Sequence, residues 1–320
     1  MKKILLTLTT LMLVTTLAGC NSNKKPDSSS EEPIRLNIAS PSGAPALALW
    51  DMFTQSNVEI NSSANNVIGY LSEDSNKDIV IAPTNALMSV IKKNAPYKIA
   101  ATVTFGNFYI ASTGNDDNET MDKDDYVVVF QQNGLPDKIF QYVYGNDFTN
   151  LHYVDAVTNA KACLDSGINI ADNNAKVDYV MMAQPALAGT LATNQNVKQY
   201  ADVQADYKEV SGGKEMTQAS IFVRDSADKT EVNRFLNKVK KDVKDLLANP
   251  EIIKDATSQL EDEQVKLKFG AASTMLVKVL RDNSLGLGYK EALTNKSAID
   301  TFLMSLNFTN EETSQNVYYQ

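Results

Sequence analysis

The sequence predicts an α/β fold, because four of its segments repeat the order strand, loop, helix. The four segments are IRLNIASPSGAPALALWDMF (residues 34–53), DIVIAPTNALMSVIKK (78–93), DYVVVFQQNGLPDKIFQYVY (125–144) and VDYVMMAQPALAGTLATN (177–194). The last three strands are solidly apolar and do not alternate strictly, which is typical of strands that helices cover on both faces. We therefore expect mixed, mostly parallel sheets flanked by helices.

The four units differ in their loops and helix signals. The first has an alternating strand, the loop PSGAP and the helical run ALALWDMF, in which Trp50 is better interpreted as a core side chain than as a ligand platform. The third places Pro136 in the first helical turn and Gly145 at the end of the helix, as helix boundaries require. Residues 131–134 therefore precede a helix N-terminus.

Two extended segments, residues 97–112 and 218–226, are predicted to cross between two lobes. We accordingly expect one lobe from residues 34–108 and 222–320 and a second from residues 109–221. A long amphipathic helix should follow the second crossing, since apolar residues recur at helical spacing from Val232 to Leu247 and Asn249 and Pro250 end the pattern.

The first nineteen residues have the pattern of a secretion signal. Lys2 and Lys3 precede an apolar run, residues 4–18, that is shorter than the roughly 20 residues of a membrane-spanning helix. The run ends in LAGC, which resembles the lipobox of bacterial lipoproteins, whose cysteine is acylated after cleavage. This resemblance implies a lipid anchor on Cys20, and the polar, serine-rich residues 20–33 are typical of a flexible tether. A plain cleaved signal with a chance cysteine is the alternative.

Charge and cysteine content restrict the partners. The 320 residues carry a net charge of −9, and loss of residues 1–19, which hold two lysines and no acidic residue, changes it to −11. Such a chain is a poor partner for nucleic acid. With Cys20 acylated, Cys163 has no cysteine left to pair with, so stability must come from an ordinary core.

The same motifs carry a family resemblance. The lipobox, PSGAPALAL, the segment IAPTNALMSVIKKNAPYKIAATVTFGNFYIAS and the unit containing Gln184 and Pro185 together resemble extracytoplasmic substrate-binding proteins of ABC importers, of the nitrate, sulfonate and thiamine-pyrimidine-precursor type. The resemblance implies a periplasmic-binding-protein type II clamshell with two crossing strands. It also implies a monomer, lipid-anchored to the outer face of the cell membrane, that delivers a small molecule to a permease with a separate ATPase subunit.

In open α/β sheets, ligands bind at the carboxyl ends of the strands. Carried over onto this chain, the resemblance implies contacts from Ser40, Ser42, Gly43, Pro83, Thr84, Asn85, Thr104, Gly106, Asn107, Gln132, Asn133, Gly134, Gln184 and Gln218. None of these is charged, which favours a neutral polar or heteroaromatic ligand, or a small anion held by N–H groups and hydroxyls. Phe105, Phe108 and Tyr109 either stack on a planar ligand or pack in the hinge and core.

Nothing in the sequence indicates catalysis, a metal or a cofactor. His152 is the only histidine, so the chain has no histidine pair to bind a metal, and no Ser-His-Asp set is evident around this residue. The acidic run of residues 116–125 lacks the glycine and closing glutamate of a calcium loop, and SGGKEMT lacks the phosphate-loop pattern. The open alternatives are a ligand-sensing or adhesive surface lipoprotein and, less favoured, an enzyme on the same fold.

Overall fold

Two β-sheets organise the part of the chain that a computed structural model describes, residues 32–115 and 120–320. Residues Pro33–Gln320 form one compact unit. The predicted signal peptide, Cys20 and most of the tether lie outside the described residues, as does part of the acidic run of residues 116–125. No helix in the described ranges is long and apolar enough to cross a membrane.

The strands, in chain order, are β1 (Ile38–Pro41), β2 (Val58–Asn61), β3 (Ile79–Pro83), β4 (Tyr97–Thr104), β5 (Phe108–Ser112), β6 (Val127–Phe130), β7 (Leu151–Val154), β8 (Ile168–Asn169), β9 (Ala175–Lys176), β10 (Tyr179–Ala183), β11 (Lys198–Asp202), β12 (Ala219–Arg224) and β13 (Leu287–Glu291).

The α-helices are α1 (Ala64–Gly69), α2 (Ala86–Lys93), α3 (Leu135–Tyr144), α4 (Val157–Ser166), α5 (Ala186–Thr193), α6 (Val203–Val210), α7 (Lys229–Ala248), α8 (Ile252–Thr257), α9 (Asp262–Phe269), α10 (Ser273–Arg281) and α11 (Lys296–Ser305). Two 3-10 helices, Ala44–Leu49 and Gln315–Val317, complete the helical elements of the described residues.

The first sheet has the strand order β13-β4-β12-β3-β1-β2 and the second has the order β11-β5-β10-β6-β7. Parallel pairing is confined to the strand–loop–helix units and the strands β2 and β7 beside them. The crossing strands and the remaining edge strands pair antiparallel. The sheets are therefore mixed, and the predicted α/β class is confirmed. Antiparallel pairings slightly outnumber parallel ones because β12 returns between β3 and β4.

The chain passes between the sheets twice. Strand β4 ends at Thr104 in the first sheet and β5 begins at Phe108 in the second, so residues 105–107 make the first crossing. The return ends before Ala219, because all of β12 lies in the first sheet. Gln218 lies beside the first crossing, since its N–H donates to the Thr104 carbonyl at 2.9 Å and its Nε2 donates to the Asn107 Oδ1 at 2.6 Å. The lobe boundaries at residues 108 and 221 stay predictions. The first lobe denotes the elements packed on the first sheet, and the second lobe denotes those packed on the second sheet.

Each sheet has its own core. One face of the first sheet packs against the first 3-10 helix, α7 and α10, and its other face packs against α2 and α11. The second sheet packs against α3, α4 and α6. Helix α11 contributes to both lobes, since Ile299 and Leu303 join the first-lobe core while Phe302 joins the second-lobe core. This helix therefore packs against both lobes.

The predicted amphipathic helix is confirmed as α7. Asp228 caps it by accepting from the Glu231 N–H at 2.9 Å, and Val232, Phe235 and Val239 are buried along its apolar face. The predicted helix over residues 46–53 is different. Its first part is a 3-10 helix that is buried almost all round, so tertiary packing on every side sets the shape of the backbone here.

Candidate ligand site at the strand crossing

The loop after β1 reaches the second lobe. Ser40 is buried and its hydroxyl donates to the Pro41 carbonyl at 3.0 Å. The N–H of Gly43 (φ +90°) donates to the Lys268 carbonyl at 3.1 Å. Gly270 follows α9 at a φ of +84°, and a Cβ placed on it would lie 3.2 Å from the Pro185 ring and 3.6 Å from the Gly43 Cα. The Gly43 loop and the start of α5 therefore face each other across Gly270.

The loop after β3 is bonded to the return crossing. The Thr84 N–H donates to the Gln218 carbonyl at 2.9 Å, and the Thr84 hydroxyl lies 2.8 Å from the Ser220 hydroxyl. Asn85 follows and is the N-terminal boundary residue of α2, but its side chain forms no capping hydrogen bond. The carboxyl end of β3 is thereby fixed beside residue 218.

A network of amide groups connects the two lobes. The Asn107 Nδ2 donates to the Gln184 carbonyl at 2.7 Å, and the Gln184 N–H donates to the Asn107 carbonyl at 2.8 Å. The Gln218 Nε2 then donates to the Asn107 Oδ1 at 2.6 Å. Gln184 follows β10 of the second sheet and Gln218 precedes β12 of the first sheet. Asn107 is therefore the residue through which the ends of the two sheets are bonded.

Several buried polar atoms around this network have no hydrogen-bond partner within the described protein. They are Asn85 Oδ1, Thr104 Oγ1, Thr217 Oγ1 and Gln218 Oε1. The residues that carry them adjoin one another, because the Gln218 N–H donates to the Thr104 carbonyl at 2.9 Å, Thr217 precedes Gln218, and Asn85 follows Thr84, whose N–H donates to the Gln218 carbonyl. Thr104 and Thr217 are 0% exposed. Other buried polar atoms without a partner among the described residues lie elsewhere, such as Gln55 Oε1 and Asn295 Nδ2. Since buried polar groups are nearly always satisfied, the four adjoining residues mark a candidate site where a bound molecule or water supplies the missing partners.

The crossing itself is tightly packed. Gly106 has a φ of +123°, and a Cβ there would overlap the Gln204 side chain. A Cβ on Gly286 would overlap the Gly106 backbone. The Gln204 Oε1 accepts from the Phe108 N–H at 2.6 Å. Because it lacks a side chain, Gly106 lets Gln204 and the Gly286 backbone pack closely against the crossing.

The structure-level comparison identifies the fold. No family model and no curated protein matches the sequence. Solved structures match, among them an ABC transporter from Parabacteroides distasonis with 14% identity and a TM-score of 0.67, covering 89% of this chain and 98% of that chain. The alkanesulfonate-binding protein SsuA from Xanthomonas axonopodis pv. citri bound to MOPS has 12% identity and a TM-score of 0.60, covering 91% and 99%. The chain has the periplasmic binding protein fold.

Other chains with this fold differ in function. A ligand-binding component of an ABC-type import system from Staphylococcus aureus with zinc bound has 12% identity and a TM-score of 0.61, covering 89% of this chain and 96% of that chain. A DszB mutant in complex with biphenyl-2-sulfinic acid has 10% identity and a TM-score of 0.54, covering 88% of this chain and 96% of that chain. At these identities the likeness establishes the fold alone.

Within the periplasmic binding protein fold, the second-lobe loop before α3 is built around a carboxylate. Gln132 and Asn133 are exposed, and Asn133 has a φ of +60°. The Asn133 N–H donates to the Asp137 Oδ2 at 2.7 Å, and Gln141 Nε2 and Tyr153 OH donate to the Asp137 Oδ1 at 2.8 and 2.9 Å. Asp137 is 1% exposed. A buried negative group therefore lies directly beneath the loop that contains Gln132, Asn133 and Gly134.

The three candidate stacking aromatics contact protein groups. Phe108 packs edge-on against Phe130 with the ring centroids 5.8 Å apart. The Tyr109 hydroxyl donates to the Ser284 carbonyl at 2.9 Å, and burial raises the pKa of this phenol. The Lys290 Nζ lies 5.0 Å from the centroid of the Phe105 ring. These contacts favour the packing interpretation, and a stacking role stays a prediction.

The remaining residues singled out by sequence lie elsewhere. The Trp50 indole donates to the Asp242 carbonyl at 2.8 Å against the first-lobe core. His152 stacks on Tyr126 with centroids 3.9 Å apart, and its Nδ1 lies 3.7 Å from the Asp172 Oδ2. Burial in the second-lobe core raises the pKa of the Cys163 thiol. Among the residues the structure describes, no group of three His, Cys, Asp or Glu side chains is placed to hold a metal ion.

The site residues that the sequence indicated fall into three sets. The first set, joined to the network described above or adjoining it, contains Pro83, Thr84, Asn85, Thr104, Gly106, Asn107, Gln184 and Gln218. The second set, Ser40, Ser42 and Gly43, lies at the end of β1 and in the loop after it. The third set, residues 132–134, lies at the surface of the second lobe. Sequence reasoning missed Thr217, Gln204 and Asp137. The position of Thr217 next to Gln218 is the one feature of the sequence that could have indicated it.

A groove of about 690 Å³ lies beside the C-terminal segment and is lined by Ile91 and Val317 among others. It contains none of the predicted site residues.

Proposed function

We propose that this chain is the solute-binding protein of an ABC importer, and that it captures a small molecule where residues 105–107 and 216–218 cross between the lobes. The buried polar atoms without protein partners on adjoining residues at this crossing, beside the amide network, are the observation that carries the proposal. Ligands of two-lobed proteins are held between the lobes, and here the partnerless groups lie where the two sheets come together.

The ligand is a small polar molecule without a full charge. The candidate contacts are amides, hydroxyls and glycine backbone, and the described loops that carry them hold no Arg or Lys among the predicted contacts. A desolvated ion recruits a charged partner or a dense set of hydrogen bonds. A heteroaromatic compound resembling the thiamine pyrimidine fits this chemistry better than a sulfonate such as the MOPS held by the Xanthomonas protein.

Capture works through closure of the lobes. The protein groups in contact across the cleft are small or neutral: Gly43 and Gly270 face Pro185, and Asn107 bonds Gln184. A ligand that bonds to both lobes adds favourable contacts to the closed arrangement only, and so it increases the closed population. The closed form is then the species that a permease recognises.

We also propose where the protein is located and which partners it has. The protein is acylated on Cys20, tethered by residues 20–33 to the outer face of the cell membrane, and works as a monomer with a permease and a separate ATPase subunit. It needs no cofactor and carries out no catalysis. The lipobox-like LAGC supports the anchor, and the neighbours from ABC import systems support the transport partners.

Native mass spectrometry tests the proposal. The full chain is purified gently in detergent and measured before and after complete unfolding and refolding. We expect an additional small mass only in the gently purified sample, and its loss in the double variant Asn85→Ala, Gln184→Ala. Bare protein in both samples, together with no rise in melting temperature across a library of several hundred small metabolites, would contradict a solute-binding role.

A further inference from the structure

We infer that the ligand must donate a hydrogen bond to the side-chain oxygen of Gln218, and that it is an uncharged molecule with an N–H or O–H group rather than an anion that only accepts. This inference rests on the proposed function, because it specifies the chemistry of the same site. The direction of each hydrogen bond in the network sets this requirement.

The main-chain carbonyl of Gln184 fixes the direction of its hydrogen bond with the Asn107 side chain. The Gln184 carbonyl can only accept, so the Asn107 group that lies 2.7 Å from it is the Nδ2 donor. The other atom of the Asn107 amide is then the Oδ1 acceptor. It lies 2.6 Å from Gln218, whose facing group must therefore be the Nε2 donor. Neither amide can be turned around without bringing two donors or two acceptors together.

The same bond directions determine which Gln218 atom is left for a ligand. With its Nε2 used by Asn107, its remaining polar atom is Oε1, a pure acceptor. This atom is buried, has no partner within the described protein, and belongs to a side chain that is 9% exposed. A buried acceptor left unpaired weakens a complex. A ligand that takes the place of water at this atom must supply an N–H or O–H group to satisfy it.

The neighbouring groups do not reverse this preference. The Thr104 and Thr217 hydroxyls can donate or accept, so they adapt to either kind of ligand atom. The amide of Asn85 can be turned, since its side chain has no bond that fixes its direction. Gln218 is therefore the group of this cluster whose requirement is fixed by the protein.

The test uses matched pairs of probes on the full chain in detergent. Each pair shares a skeleton and differs by one donor: 4-aminopyrimidine with pyrimidine, 2-aminopyridine with pyridine, and benzamide with N,N-dimethylbenzamide. Methanesulfonate and nitrate represent acceptor-only anions. Calorimetry gives the dissociation constants for the unaltered protein and for Gln218→Met, and Gln199→Met on exposed β11 is the matched control. Native mass spectrometry of the gently purified protein identifies any carried ligand.

We expect the donor-bearing member of a pair to bind about tenfold more tightly than its partner, which corresponds to about 1.4 kcal/mol. Gln218→Met should remove this ratio while Gln199→Met retains it. The ratio separates recognition from structural damage, because damage weakens both members alike. A carried ligand should contain an N–H or O–H group.

Other outcomes would overturn one of the two proposals. Tighter binding of the anions, a ratio near one, a ratio that survives in Gln218→Met, or a carried ligand without any donor would overturn the inference and leave solute binding intact. Bare protein with no response to any probe or to the metabolite library would overturn the proposed function, and the inference with it.

Discussion

The Asn107 side chain donates to the Gln184 main-chain carbonyl at 2.7 Å, although the two residues are 77 positions apart in the chain. The same side chain accepts from Gln218, so three distant segments depend on one amide of a residue that is 4% exposed. We therefore expect this position to be among the most sensitive polar sites for stability.

Replacing Asn107 with alanine leaves the Gln184 carbonyl and the Gln218 Nε2 without these partners. Each unpaired buried group costs about 1–3 kcal/mol, so the free energy of unfolding should fall by about 2–4 kcal/mol in urea titrations. The control is Asn159→Ala, an exposed position on α4, which should change stability by less than about 0.5 kcal/mol. Equal stabilities of the two variants would show that the network adds nothing.

Replacing Gly270 with alanine should destabilise the protein by about 1–2 kcal/mol, since its φ of +84° is unfavourable for other residues and its Cβ would press on Pro185. Gly189, inside α5, has no heavy atom within 4 Å of the position that a Cβ would take, so Gly189→Ala should stabilise by about 0.5–1 kcal/mol. Thermal unfolding of both variants checks the opposite signs. A stabilising Gly270→Ala would contradict the close packing of Gly270 on Pro185.

Glu59 gives a pH-dependent prediction. The Lys77 ammonium, 2.7 Å away, is the largest of the influences that lower the Glu59 pKa below its usual 4.5. A lowered folded-state pKa stabilises the protein above 4.5, and this contribution is lost as the pH falls through the folded-state pKa.

Glu59→Gln removes the charge but keeps an acceptor for the Tyr70 hydroxyl. Because the pair is partly exposed, the loss at pH 7 should be about 0.5–1 kcal/mol, decreasing towards zero in acid. Urea titrations between pH 3 and pH 7 measure the difference, with the exposed Glu73→Gln as control. A difference that stays constant with pH would rule out the ion pair as its cause.

The anchor proposal predicts the behaviour of the two cysteines. Cys20→Ser should move the protein from the membrane fraction to the soluble extracellular or periplasmic fraction, because the acyl chains are lost. Cys163→Ser is the matched control and should stay with the membrane, since the Cys163 side chain is buried in the second-lobe core. Cell fractionation followed by immunoblotting measures both. Retention of Cys20→Ser in the membrane fraction would disprove the lipid anchor.

Local patterns were sufficient to predict the α/β class and the first crossing segment. The predicted return crossing, residues 218–226, was misplaced, because β12 lies wholly in the first sheet and the crossing ends before Ala219. Apolar strands such as β6 and β10, with Pro136 and Gly145 at the ends of α3, carry their signals within a few residues. The balance of parallel and antiparallel pairs was not accessible in this way, because it depends on where β12 inserts. The shape of residues 44–49 was also missed, since packing on all sides, and not spacing, determines it.

The candidate site was predictable as a set of loops but not as a network. Gln218 and Asn107 lie 111 positions apart, and which atom Gln218 presents depends on a bond that Asn107 makes to a third segment. Asp137 is an acidic residue in the first turn of α3, and the structure shows it accepting from Asn133 and Tyr153 as well. Such dependence on distant partners has no signature in one sequence.

The position of β12 between β3 and β4 also bears on the order in which the protein assembles. The strands of the second sheet run consecutively from residue 108 to residue 202, so that sheet can pair completely on a partly emerged chain. The first sheet cannot, because β3 and β4 are bridged only by residues 219–224. A chain released as a fragment ending near residue 216 would have every strand of the second sheet and an open gap in the first. The lobe that begins the sequence is therefore the one that must finish last.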